Sequence, residues 1–108
     1  MSILGVVMKQ PAEVIDFDID YSEYFLQLSG GDTISTVTAV ISSGNDGGGD
    51  DLVLGPGGLP ETVLVGDDKG KVWIGAGVDG VTYKITVTMT STAARVREHD
   101  VRIIVKEF

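Results

Sequence analysis

Three aspartates recur at every second position near the N-terminus. This spacing could describe a metal site, a catalytic carboxylate cluster or the solvent-facing side of a strand. Asp16, Asp18 and Asp20 lie in the stretch EVIDFDIDYSEY, and carboxylate oxygens are ligands that Ca²⁺ prefers. An EF-hand loop, however, needs a glycine at its sixth position and a glutamate at its twelfth, where this sequence has Tyr21 and Gln27. The residues between the aspartates are apolar or aromatic. The alternation therefore predicts a half-buried strand whose carboxylates face solvent.

A second set of oxygen ligands and a lone histidine are the other candidates for chemistry. The segment NDGGGDD, residues 45–51, has side chains that suit a hard cation, but Asp and Gly are common in loops for turn reasons alone. His99 is the sole histidine and lies among charges in REHD, which indicates a surface strand residue. No serine or threonine sits in a nucleophile motif. We expect no catalytic residue, no cofactor and no metal site.

The charge of the chain is negative and unevenly distributed. The 108 residues include 16 acids and 8 bases, for a net charge of −8, with 12 acids and one base in residues 1–68 but 4 acids and 7 bases in residues 69–108. An acidic chain is poorly suited to bind nucleic acid, since phosphate contacts need Lys and Arg. The absence of cysteine excludes a disulfide framework. No apolar run approaches the roughly 18 residues of a membrane span, so we expect a soluble protein.

The C-terminal third predicts a β-hairpin. The stretch VTYKITVTMT, residues 81–90, alternates apolar and polar residues, which is typical of a strand with one buried face. After the connection STAA, the stretch RVREHDVRIIVKE alternates again toward its end. We expect a hairpin near residues 80–106. The residues expected in the core are Tyr83, Ile85, Val87, Val101, Ile103 and Val105.

The start of the last strand breaks this alternation. Extending the pattern backwards would bury Arg95 and Arg97 and expose Val96. A β-bulge adds one residue to a strand and so reverses which face its side chains take. We therefore expect a bulge near Glu98–Asp100 that returns Val96 to the core.

Further strands are predicted upstream. Residues 32–42, DTISTVTAVIS, form a β-branched strand, and residues 61–77 read as strand, turn and strand, with Gly66–Gly70 as the turn. Residues 20–28 supply at most one helical turn, with Asp20 or Ser22 as its N-cap. Short strands with glycine-rich turns predict an all-β fold, an immunoglobulin-like β-sandwich of about seven strands.

The segment GNDGGGDDLVLGPGG, residues 44–58, interrupts the strand pattern. It has seven glycines in fifteen residues, and such a stretch buries little apolar surface to offset its backbone entropy. We expect one domain over residues 1–108 with a long glycine-rich loop at 44–58, in which LVL forms a stub strand. Loops of this length are often functional, so the segment is a candidate partner contact.

Three ordered blocks resemble a family of small tailed-bacteriophage virion proteins, described as fiber-tail adaptor or head–tail-region proteins. The blocks are KQPAEVIDFDIDYSEYF (9–25), GDTIST (31–36) and VWIGAGVDGVTYKITVTMTSTAARVRE (72–98). The matching residues are Lys9, Pro11, Asp20, Asp32, Thr33, Ile34, Val72, Trp73, Gly77, Gly80, Thr82 and Tyr83. The chain departs from the pattern at Tyr21, where Trp is commoner, and at Ala76, where the family has Gly. It also departs at TAARV (92–96), which replaces a Thr-x-x-Gly-Arg turn.

The resemblance implies a non-enzymatic structural adaptor in the virion, made in the host bacterial cytoplasm. Such a protein would be present in many copies and would tie fibers or neighbouring subunits to the tail or connector. Its partners would be other virion proteins, with no nucleic acid and no membrane. Two alternatives stay open: a capsid decoration (cementing) protein and a carbohydrate-binding module, although the latter usually needs several exposed aromatics.

The uneven charge, taken with the resemblance, suggests where a partner binds. We expect basic residues of the C-terminal hairpin to face acidic residues of another chain, with specificity from charge complementarity. The predicted partner-binding residues are Lys84, Arg95, Arg97, Arg102, Asp46, Asp50 and Asp51.

Overall fold

The computed structural model describes residues 2–27, 31–45, 47 and 49–107, and β-strands are its main secondary structure. The strands are β1 (Ser2–Lys9), β2 (Ile15–Asp20), β3 (Ile34–Ser43), β4 (Val53–Leu54), β5 (Thr62–Val65), β6 (Lys69–Gly75), β7 (Thr82–Ser91) and β8 (Val96–Val105). One α-helical turn, α1 (Ser22–Leu26), and a 3-10 turn at Pro56–Gly58 complete the described elements. Neither is long or apolar enough to cross a membrane.

The strands form two sheets that enclose the core. The first sheet has the order β1-β8-β7-β3, and in the second β6 pairs with β2 on one edge and with β4 and β5 on the other. All pairings are antiparallel except that of β1 with β8, which is parallel. The predicted all-β sandwich is confirmed, with eight described strands; its immunoglobulin-like topology is not. Sequence reasoning missed β1, since its continuous apolar run has no period of two.

The C-terminal hairpin is confirmed and forms the centre of the first sheet. Strands β7 and β8 pair in one register from Thr82 opposite Ile104 to Thr90 opposite Val96. All six residues predicted for the core are at most 3% exposed. The sheets approach closely at Gly70 of β6, where an added Cβ would lie 3.1 Å from a methyl of Val37. A Cβ at that position would require the Val37 side chain to shift by a few tenths of an ångström.

The predicted β-bulge is wrong. The β7–β8 register has no shift near Glu98–Asp100, and Val96 is 62% exposed. The alternation of β8 therefore runs back unchanged, and Arg97 and Arg95 lie on the same side as the buried residues of this strand. These arginines need no bulge because each finds a partner: Arg95 pairs with Asp32, and Arg97 stacks on a tyrosine of α1.

Two local predictions around the second sheet are corrected. The N-cap of α1 is Tyr21, and it makes no side-chain capping bond. Asp20 instead accepts a hydrogen bond from the Ser22 amide at 2.8 Å through its Oδ1 atom. The turn between β5 and β6 is shorter than the predicted Gly66–Gly70, because β6 already begins at Lys69.

The glycine-rich segment 44–58 carries the predicted stub strand. This strand, β4, pairs Val53 with Gly75 of β6. The preceding Leu52 is 1% exposed, so this part of the segment packs onto the sandwich. Its apolar residues anchor it despite the high glycine content.

Lys9, at the end of β1, is a fully buried lysine that sequence reasoning did not single out as a core residue. Its ammonium donates to the carbonyl oxygens of Gln10 at 2.6 Å and Pro11 at 3.3 Å, and to that of Ala76. Burial lowers the pKa of Lys9, an effect that the nearby Glu13 carboxylate partly opposes. The bond to Ala76 ties the end of β1 to the segment that joins β6 to β7.

Candidate partner-binding surfaces

The basic residues predicted to contact a partner do not form one patch. Lys84 and Arg102 lie directly opposite each other in the β7–β8 register, on the outer face of the first sheet. Arg95 and Arg97 lie near the hairpin turn and have the opposite parity, toward the second sheet. The strand alternation separates the four residues into two pairs on opposite faces.

Lys84, one of the outer pair, lies near a buried carboxylate. Lys84 Nζ lies 3.8 Å from Asp100 Oδ2, and the Thr86 hydroxyl donates to Asp100 Oδ1 at 2.9 Å. Asp100 is only 5% exposed, while Arg102 is exposed. Arg102 makes no ion pair among the described residues, whereas the neighbouring Lys84 ammonium is already near a carboxylate.

Arg95 is held within the chain by Asp32. Its Nη1 atom donates to Asp32 Oδ2 at 2.8 Å, and the Asp32 side chain is 1% exposed. Asp32 also accepts hydrogen bonds from the Thr33 amide and the Thr92 hydroxyl, both at 2.9 Å. The Ser91 hydroxyl, followed by Arg95 and Thr92, holds the pKa of Asp32 far below its usual range. Asp32 thus fastens the β7–β8 turn to the start of β3.

The predicted acidic contacts in the loop differ in exposure. Asp50 is exposed, whereas Asp51 is 8% exposed and accepts a hydrogen bond from the Gly47 amide at 2.8 Å. Asp46 lies outside the described residues. Of these two described aspartates, only Asp50 is exposed.

The aspartate row of β2 faces solvent, as predicted, and is partly neutralised by β6. Asp16, Asp18 and Asp20 are exposed, and Lys71 Nζ lies 3.0 Å from Asp16 Oδ2. Its hydrogen bond to Asp16 raises the pKa of Lys71. Two ion pairs, Asp16–Lys71 and Asp32–Arg95, thus join the acidic first part of the chain to its basic second part. Part of the charge asymmetry is compensated within one molecule.

The prediction for His99 is wrong, because its side chain is buried. It is 4% exposed, and its ring centroid lies 5.4 Å from that of Tyr21. Arg97 covers the ring of Tyr24, with its guanidinium carbon 4.3 Å from the ring centroid. The sequence did indicate a buried position, since His99 lies two residues before Val101 and four before Ile103 and so shares the face of these core residues on the strand. The charges around it obscured that pattern.

The outer face of the first sheet is partly apolar. Val6 and Met8 of β1 are 55% and 53% exposed, and Val40 of β3 is 61% exposed. Val6 and Met8 lie beside Arg102 and Ile104 of β8. Within the described ranges, no three acidic or histidine side chains come together in a way that could hold a metal ion.

Together these features define a small two-sheet β-sandwich whose first sheet has an outer face with exposed apolar and basic side chains. A family model for the podophage GP4 fiber-tail adaptor protein gp77 matches residues 9–105. The chain belongs to this family of phage tail adaptor proteins, which confirms the resemblance predicted from sequence. The match begins at Lys9 and ends with β8, so it spans both sheets. A comparison with curated proteins found no match.

Proposed function

We propose that this protein is a non-enzymatic structural adaptor that attaches tail fibers, or neighbouring tail subunits, to the tail of a podophage virion. The observation that carries the proposal is the family match across residues 9–105. The architecture supports it, since a packed sandwich presents loops and sheet faces at fixed angles. We propose further that one domain is formed by the whole chain and that many copies act together in the virion.

The exposed basic pair on the first sheet is our proposed partner contact. Lys84 and Arg102 are neighbours across β7 and β8, and Val6 lies beside Arg102 in the register with β1. A guanidinium with apolar neighbours is typical of protein interfaces. An acidic surface would complement it, with an association that weakens as salt rises. Arg97 and Asp50 remain further contacts in this proposal, whereas the Arg95 guanidinium is already engaged by Asp32.

Locating the protein in an intact virion tests the adaptor function. A cryo-EM reconstruction should show the sandwich, with extents of 45 × 27 × 24 Å, at the junction between tail and fibers. Density on the capsid shell would instead support a decoration protein, the alternative left open by the sequence. Absence from purified virions would refute both.

A pair of charge-reversal variants tests the proposed contact. Lys84→Glu with Arg102→Glu should weaken co-sedimentation with tails assembled without this protein, and the wild type should bind less as salt rises. The matched control is Lys69→Glu with Lys106→Glu, which changes the net charge equally at other positions. Equal binding by the two double variants would exclude the Lys84–Arg102 contact. The test of where the protein lies in the virion would be unaffected by that result.

A further inference from the structure

A pocket of about 220 Å³ opens between α1 and β8. Tyr21 and His99, which are 3% and 4% exposed, form its buried end. Tyr24 and Arg97 line it closer to solvent, and the rim is completed by Ile19, Asp20, Glu23 and Gln27. Neither the family description nor the ion pairs described above account for this pocket.

Two buried polar atoms of the residues that line the pocket have no hydrogen-bond partner among the described residues. They are the Tyr21 hydroxyl and His99 Nε2. Buried polar groups are almost always paired in folded proteins, because leaving one unpaired is destabilising. Two such atoms on adjacent rings, beside a pocket with room for several heavy atoms, could donate hydrogen bonds to a group bound there.

The charge that reaches these atoms is positive. Arg97 makes no ion pair among the described residues and rests on the face of Tyr24. Burial raises the pKa of Tyr21 to about 12, and the Arg97 charge acts in the opposite direction. Burial lowers the pKa of His99, and Arg97 lowers it further. Asp20 at the rim is exposed and already accepts a hydrogen bond from the Ser22 amide.

We propose that this pocket binds a carboxylate group, which accepts hydrogen bonds from the Arg97 guanidinium, the Tyr21 hydroxyl and the Nε2–H of a neutral His99. Charge-assisted bonds of this kind are the strongest that a small polar site makes. In the assembled tail, the carboxylate belongs to an Asp or Glu side chain of a partner protein. That second statement rests on the proposed adaptor function, whereas carboxylate binding by the isolated protein does not.

The sole histidine of the chain makes the test direct. The ring resonances of His99 can be followed by NMR while sodium propionate is added, with sodium chloride at equal ionic strength as the reference. We expect a saturable shift with a Kd on the order of 10 mM, as suits a ligand of so few atoms. Propionamide and propylammonium chloride, which have similar size but no negative charge, should give no saturable shift.

Variants then assign the shift to this pocket. Arg97→Gln should weaken propionate binding by about ten-fold or more, because it removes a charge-assisted bond. Lys106→Gln removes an equal charge from an exposed position outside the pocket and should leave the Kd unchanged. Tyr21→Phe, which deletes one unpaired hydroxyl, should weaken binding several-fold while the fold is retained.

The proposal is overturned if propionate gives no saturable shift, which would mean that water alone occupies the pocket. It is also overturned if propionamide binds as well as propionate, or if Arg97→Gln binds propionate like the wild type. A folded one-dimensional spectrum of each variant separates lost binding from lost structure. A negative titration would leave the adaptor function standing, since that function is tested by the location of the protein in the virion.

Discussion

Ala94 occupies a backbone conformation that favours glycine, and replacing it should stabilise the protein. Its φ is +68°, one of two positive values at non-glycine residues in the described chain, the other being +56° at Ala76. In the β7–β8 turn, the Ala94 amide donates to the Ser91 carbonyl at 3.0 Å and the Ser91 amide to the Arg95 carbonyl at 2.8 Å. A three-residue hairpin loop of this kind usually ends in a left-handed glycine.

The size of the effect follows from two opposing contributions. An alanine in the left-handed region costs about 1–2 kcal/mol relative to glycine. Glycine in turn gives the unfolded chain extra freedom, which costs about 0.4–1 kcal/mol. These contributions differ by between about 0 and 1.6 kcal/mol, and we expect Ala94→Gly to raise the free energy of unfolding by about 0.5–1 kcal/mol, near the middle of that range. For a chain of this length, about 4 °C in Tm corresponds to 1 kcal/mol, so the Tm should rise by about 2–4 °C.

Ala93→Gly is the matched control in the same turn. Ala93 is exposed like Ala94 but does not have a positive φ, so its replacement should cost about 0.4–1 kcal/mol through unfolded-state freedom alone. Urea unfolding at constant m-value, together with thermal melts, measures both variants. The difference between the two changes in unfolding free energy isolates the conformational strain at Ala94. If Ala94→Gly destabilises as much as Ala93→Gly, the strain argument is refuted.

Three further predictions concern the core and the titrating groups. Ile85→Ala should lower the free energy of unfolding by about 2–4 kcal/mol in urea, since Ile85 is fully buried; a loss below 1 kcal/mol would argue against that packing. Gly77→Ala should cost about 2–3 kcal/mol, because its φ is +105° and the new Cβ would lie 2.8 Å from a methyl of Val105; an unchanged Tm would contradict this. The hydrogen bonds to Asp32 depress its folded pKa below the ordinary 3.8, so their stabilisation is fully present above that pH and is lost as pH falls through the folded value. Asp32→Asn should therefore lower the Tm at pH 7 and reduce the loss of Tm on acidification, and a parallel Tm–pH curve would show that Asp32 is not responsible.

Local patterns in the sequence were enough to predict most of the fold. Period-two alternation predicted the C-terminal hairpin and its six core residues, because each residue's face on a strand depends only on its neighbours along the chain. The same rule placed Asp16, Asp18 and Asp20 in solvent. The family blocks pointed to a phage tail adaptor because their turn and core residues lie in order along the chain.

Packing between distant segments decided what the sequence left open. The pairing of β1 with β8 joins opposite ends of the chain, and no local pattern specifies such a partner. The bulge prediction failed because alternation alone cannot show that Asp32 and Tyr24 are placed to receive two arginines.

The sequence by itself determined the strand periodicity, the all-β class and the family, since these depend on residue types and short-range spacing. Only the tertiary structure decided that Lys9 is a buried donor, that the predicted basic residues divide between two faces, and that His99 and Tyr21 meet in one pocket. The physical reason is that burial and charge pairing depend on which segments lie across from a residue. Those segments are supplied by parts of the chain far away in sequence.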